Sequence, residues 1–95
     1  MATYIILSSI SAQAFSEPSE FKGLAQRVSE GIKRQCPGVT WKESYSTAGR
    51  FDVVDIVECE DLKEVEKAAM IIRGQGRART EILVATPWKE FLAAL

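Results

Sequence analysis

Histidine is absent from this 95-residue chain. That removes Ser-His-Asp and Cys-His catalysis, the commonest zinc sites and a histidine-ligated haem. Cysteine is scarce: Cys36 and Cys59 are the only two. Two scattered thiols make no Cys-only metal site, so no metal and no cofactor is expected. Both thiols read as inert, with a structural disulfide as the lesser alternative. Charge of one sign is also missing. Twelve basic residues against thirteen acidic ones leave a net charge of -1, which gives no general pull toward nucleic acid or an anionic membrane. No apolar run approaches the ~20 residues needed to span a bilayer. Met1 to Ile10 lacks the basic start of a secretory leader and reads as a strand. A reduced, cytoplasmic setting is the default expectation.

What is present is enough for one domain over residues 1–95. The apolar share, 46%, is ordinary for a globular protein and argues against disorder. The chain is organised around Tyr45 to Cys59, YSTAGRFDVVDIVEC. Three valines and an isoleucine between Phe51 and Cys59 favour a strand. Alternation puts Phe51, Val53, Asp55, Val57 and Cys59 on one face and Asp52, Val54, Ile56 and Glu58 on the other. Both faces are mostly apolar, so the strand should be central. Ser46 to Arg50, around Gly49, is turn chemistry. Before it, Val39, Trp41, Glu43, Tyr45 and Thr47 alternate with Thr40, Lys42, Ser44 and Ser46, which predicts an edge strand and a hairpin.

Tyr45, Gly49-Arg50-Phe51-Asp52-Val53-Val54 and Ile56-Val57-Glu58 together resemble the motif of the GYD domain family. Gly76, Arg79-Thr80-Glu81, Leu83 and Ala85 fit the same pattern, as does Ala2-Thr3-Tyr4-Ile5. The aromatic beside the motif aspartate is here Phe51, which has no hydroxyl. The resemblance implies a ferredoxin-like domain that dimerises as an α+β barrel. It implies no catalytic residues. Within the wider group of such barrels it implies small organic molecules held between sheet and helices, in some cases with cofactor-independent oxidation or isomerisation.

In chain order, Thr3 to Ile10 is a first strand, apolar on both faces. Ser16-Glu17-Pro18-Ser19-Glu20 opens a helix, because proline and acids suit the first turn. Phe21, Leu24, Ala25, Val28 and Ile32 form its apolar stripe. It should end near Gln35, before Cys36-Pro37-Gly38. Asp61-Leu62-Lys63-Glu64 resembles a capping box. The stripe Leu62, Val65, Ala68, Ala69 and Ile72 follows, with Gly74 as a left-handed stop. Gln75 to Ala85 reads as the last strand. Thr86-Pro87 should cap and open a short helix docked by Trp88, Phe91, Leu92 and Leu95. The order βαββαβ plus a terminal helix predicts a four-stranded antiparallel sheet with the helices on one face. The other face is then apolar and uncovered. Face-to-face pairing into a homodimer or higher oligomer is the expected remedy; the terminal helix folding back over that face is the lesser one.

Asp55, mid-way along an apolar strand, reads either as a general base or as a structural carboxylate paired with Lys42, Arg77 or Arg79. Asp52 either pins the hairpin or lines a cleft. Trp41 and Tyr45 form either core or a pocket wall. Arg77, Arg79 and Glu81 form either a salt network or an anion clamp. The candidate ligand-binding set is therefore Trp41, Tyr45, Asp52, Asp55 and Arg79. Gly74-Gln75-Gly76 precedes a strand and is no phosphate loop. RNA binding through the sheet is disfavoured, since GRFDVVDIV carries acids where stacking aromatics and cations belong. Two function classes remain. One is a small-molecule binding domain or metal-free enzyme. The other is a structural or regulatory dimerisation module without ligand.

Overall fold

The computed structural model describes residues 1–95. The elements are β1 (Ala2–Ile10), α1 (Pro18–Gln35), β2 (Thr40–Ser46), β3 (Val53–Cys59), α2 (Leu62–Gln75), β4 (Ala78–Ala85) and α3 (Trp88–Ala93). The sheet order is β2-β3-β1-β4, antiparallel at every junction. The two strands read as central, β1 and β3, are indeed the inner pair. This is the ferredoxin-like arrangement.

Local chemistry sets the helix ends. At the start of α1 the Glu17 N–H donates to Glu20 Oε1 at 3.2 Å, with Pro18 in the first turn. At α2 the expected capping box forms only in half. Asp61 accepts from the Lys63 N–H at 3.0 Å, while Glu64 Oε2 is buried without a partner. Gly74 is not the left-handed stop. The helix runs through it to Gln75, and Gly76 caps it in a right-handed conformation. A Cβ on Gly76 would lie 2.5 Å from the Ile72 carbonyl oxygen, so close approach is the reason for glycine there. The positive φ falls instead on Arg77, at 51°. Thr86 provides no cap for α3, whose N-cap is Pro87.

One face of the sheet meets the helices. Tyr4 and Ile6 from β1, Val57 and Cys59 from β3, Ile32 and Cys36 from α1 and its end, and Val65, Ala68 and Ile72 from α2 form one buried cluster. The opposite face holds Ile5 and Leu7 of β1 between Val54 and Ile56 of β3 and Leu83 of β4. These five are half-buried or exposed, as expected of a sheet face that no element covers. Asp52 ties the sheet end together: the Ile10 N–H donates to its Oδ2 at 2.8 Å, and the Asp52 N–H donates to the Ser8 carbonyl at 2.8 Å.

The terminal helix does not dock. Trp88, Phe91, Leu92 and Leu95 are all exposed; the first two rings pack on each other, 5.8 Å between centroids. The chain is correspondingly extended. Its radius of gyration is 14.0 Å, against about 12 Å for a compact domain of this length.

Candidate functional site

An open cleft of about 880 Å³ lies between α1 and the helix-facing side of the sheet. Its apolar wall includes Phe21, Leu24, Val28 and Ile32, one stripe of α1. Its polar strip is Ser8, Ser44, Ser46 and Asp55, brought together by strand register. Ser8 lies opposite Val53, Ile6 opposite Asp55, Ser44 opposite Asp55 and Ser46 opposite Val53.

A register shift in β2 between Trp41 and Glu43 makes this strip possible. Strict alternation would place Trp41, Glu43 and Tyr45 on one face. One extra residue reverses the parity beyond it. Trp41 and Ser44 therefore share the helix-facing side, while Glu43 and Tyr45 fall opposite Ile56 and Val54 on the open face. No signal in TWKESYS alone announces the bulge.

Asp55 is buried, at 7% exposure. Its Oδ1 accepts from Trp41 Nε1 at 3.1 Å and from the Ser44 hydroxyl at 2.5 Å. Trp41 Nε1 also donates to Ser44 Oγ, 2.9 Å away. The expected cationic partner is absent: Lys42 reaches Glu58 instead, at 4.0 Å, in the chain's one ion pair. The Arg77-Arg79-Glu81 salt network likewise does not form. Ser8 is the cleft residue that sequence reasoning missed. It is 3% exposed, and its hydroxyl is buried without a partner. A serine in TYIILSSI looks like a strand end, and only the register carries it under α1.

Of the five candidate residues, Trp41 and Asp55 meet in the cleft. Tyr45 borders it from β2, but its side chain stands on the open face, hydrogen-bonded to Glu43. That bond holds the Tyr45 hydroxyl above its ordinary pKa. Asp52 binds the end of β1, and Arg79 lies opposite Ser9 on the open face. Neither is part of the cleft wall. Phe51 packs under the Arg50 guanidinium, 5.1 Å from the ring centroid. No group of three or more His, Cys, Asp or Glu is placed to hold a metal ion. No helix is long and apolar enough to cross a membrane.

Cys36 borders the cleft and Cys59 lies below it in the core, both as free thiols. Burial raises the Cys36 pKa above the ordinary 9.0, and the Glu64 charge adds to this against Lys67. The folded state therefore keeps this proton at a pH where the unfolded chain has lost it. The resulting stabilisation is complete below pH 9.0 and is lost as pH rises through the folded value. Urea midpoints should fall from about pH 9, and the part of the fall between about pH 9 and about pH 10, before Tyr45 contributes, should vanish in Cys36→Ala. A flat midpoint from about pH 8 to about pH 10 would contradict this.

The model of the GYD domain matches residues 4–95, and the chain belongs to that family. A Thermus thermophilus protein named glutamine synthetase and cystathionine beta-lyase binding protein is 27% identical over 95 residues, covering 100% of this chain and 99% of that one. Among solved structures, Mycobacterium tuberculosis leucine response regulatory protein (LrpA) superposes with a TM-score of 0.61 at 16% identity. The match covers 90% of this chain but 51% of that protein, so the chain spans about half its length. TTHA0845, also from Thermus thermophilus, gives a TM-score of 0.57 at 23% identity, covering 92% of this chain and 95% of that one. These superpositions establish the ferredoxin-like fold.

Proposed function

We propose that this GYD-family chain is a homodimeric binding domain, paired through its open sheet face, that holds a small organic molecule in the cleft between α1 and the sheet. One observation carries the reading: an 880 Å³ cleft, apolar on one wall, converges on a buried carboxylate and a buried hydroxyl with no partner of its own. Its volume lies within the roughly 300–1,000 Å³ range of ligand sites, and a few convergent polar groups in an apolar wall are their usual make-up. Pairing follows from the second face. Leu83, Ile5, Ile56, Leu7 and Val54 form a contiguous apolar patch by register. Around it stand Glu43, Glu58, Arg79 and Glu81, charges of both signs that a two-fold axis can match. The test uses 1-hexanol as a plain apolar probe, read by the Trp41 indole N–H resonance, with light scattering on the same sample. The expected result is saturable movement of that resonance in a species of about 21 kDa, twice the 10.5 kDa chain. A resonance that no small organic probe moves, neutral or charged, would refute the cleft reading, and a 10.5 kDa species would refute the pairing.

A second reading, as a protein-docking module, draws on α3. Its Trp88, Phe91, Leu92 and Leu95 are exposed and lie outside the buried core cluster, and aromatic anchors of this kind dominate protein interfaces. The Thermus thermophilus relative is named for binding two enzymes. Co-elution with the glutamine synthetase of the same organism, lost in a Trp88→Ala/Phe91→Ala variant, is the outcome this reading expects. Unchanged, separate elution would exclude that partner.

A further inference from the structure

We infer that the cleft selects a small primary amine on an apolar tail, with the ammonium group seated between Asp55 and Ser8 and the tail along α1. This rests on the small-molecule reading of the cleft and adds the chemical class of the ligand.

The charge balance points to a cation. Asp55 is 7% exposed, and its two hydrogen bonds, from Trp41 and Ser44, are both from neutral donors to Oδ1. Oδ2 has no partner within the chain, and no Lys or Arg pairs with the carboxylate. A buried carboxylate ordinarily has a cation or a metal beside it. Lys33 borders the cleft but is solvent-exposed on α1.

The geometry points to one ammonium rather than a larger cation. Ser8 lies opposite Val53 and Ile6 opposite Asp55, so Ser8 and Asp55 are diagonal neighbours on one face. Such neighbours are about 7 Å apart at their backbones, less between side-chain tips. A single nitrogen donating at about 2.8 Å to each oxygen spans that gap. The ammonium has three donors. One satisfies Asp55 Oδ2, one satisfies the Ser8 hydroxyl that is otherwise orphaned, and the third is left for Ser46 or water at the open side. Buried polar groups in native proteins are nearly all hydrogen-bonded, so the Ser8 hydroxyl marks where a ligand atom belongs. Beyond these polar atoms the wall is Phe21, Leu24, Val28 and Ile32, which suits an aliphatic or aromatic tail. An anion of the same shape is repelled by Asp55, and an alcohol can complete the hydrogen bonds without balancing the charge.

The experiment titrates the ¹⁵N-labelled full chain with n-hexylamine, 1-hexanol and hexanoate at about neutral pH, where the amine is charged. The Trp41 indole N–H is the reporter and Trp88, outside the cleft, is the internal control. Hexylamine is expected to bind at least tenfold more tightly than hexanol, with hexanoate weakest. Asp55→Asn should bring amine and alcohol within about twofold of each other. Ser8→Ala should weaken hexylamine severalfold and hexanol less, since the amine loses a charge-assisted hydrogen bond and the alcohol a neutral one. Equal affinity of amine and alcohol for the wild type would overturn the amine assignment while leaving the cleft reading intact. Absence of binding by all three would overturn both. If Asp55→Asn does not fold, the wild-type ranking and Ser8→Ala decide the matter.

Discussion

Leu83→Asp is expected to convert the protein from a dimer of about 21 kDa to a folded 10.5 kDa monomer in light scattering. Leu83 sits on the edge strand β4, opposite Ile5, on the face away from the helices. It is 41% exposed in the single chain, so aspartate there leaves the fold of one copy nearly undisturbed. The proposed dimer is affected differently. A two-fold axis presents every substitution twice. Each lost leucine contact is worth about 2 kcal/mol, and each new carboxylate brings a desolvation cost on top. About 5 kcal/mol over the two copies raises the dissociation constant by about 10³–10⁴-fold. Rim position matters in the same logic: Arg79→Ala, opposite Ser9 at the sheet end, should change the mass little and the salt dependence more. A variant that stays dimeric at micromolar concentration would mean that another surface, α3 first among them, makes the contact.

The fold was legible because its signals are local. Valine-rich β3, the stripe on α1 and the proline–glutamate start at Pro18 each needed only a window of the chain, and each lies where the sequence placed it. The two faces of β3 also emerged correctly, since nothing interrupts its alternation. The site was legible only in part. Asp55 stood out as a carboxylate in an apolar run, and Trp41 as an aromatic on the neighbouring strand. Their contact, however, depends on an extra residue at Lys42, and the energetics of a bulge reside in cross-strand pairing that no single strand encodes. Strict alternation therefore gives Tyr45 the wrong side of the sheet and misses Ser44, whereas Ser8, on the unbroken β1, is missed because it looks like a strand end. The expectation of a cationic partner for Asp55 failed for a related reason: nearness in a sheet is a property of register. The helix stop at Gly74 failed because a glycine can serve close packing as readily as a left-handed turn. Here Gly76 does the first and Arg77 takes the positive φ.

The core is small enough that one side chain should govern it. Only 15 of 95 residues are buried, and Ile6, fully buried, is the strand residue flanked by Asp55 on β3 and Ile82 on β4. Ile6→Ala truncates the floor of the helix–sheet layer to a single methyl, where α2 leaves little freedom to collapse. A cost of about 3–4 kcal/mol is expected, which in a domain of this size lowers the midpoint of thermal unfolding by about 12–25 °C. The same measurement bears on pairing. Assembly stabilises only the folded chain, so the midpoint of a dimer rises with protein concentration, whereas that of a monomer does not. Ile6→Ala should therefore unfold at a lower temperature at every concentration yet keep the concentration dependence. Leu83→Asp should lose that dependence. The two lesions lie on opposite faces of one sheet, Ile6 toward the helices and Leu83 away from them, and the double variant separates them further. If the open face is the interface, Ile6→Ala added to Leu83→Asp costs the same increment as in a chain that never paired. If Leu83→Asp keeps its concentration dependence and the double variant unfolds no earlier than Ile6→Ala alone, the apolar face is not where copies meet.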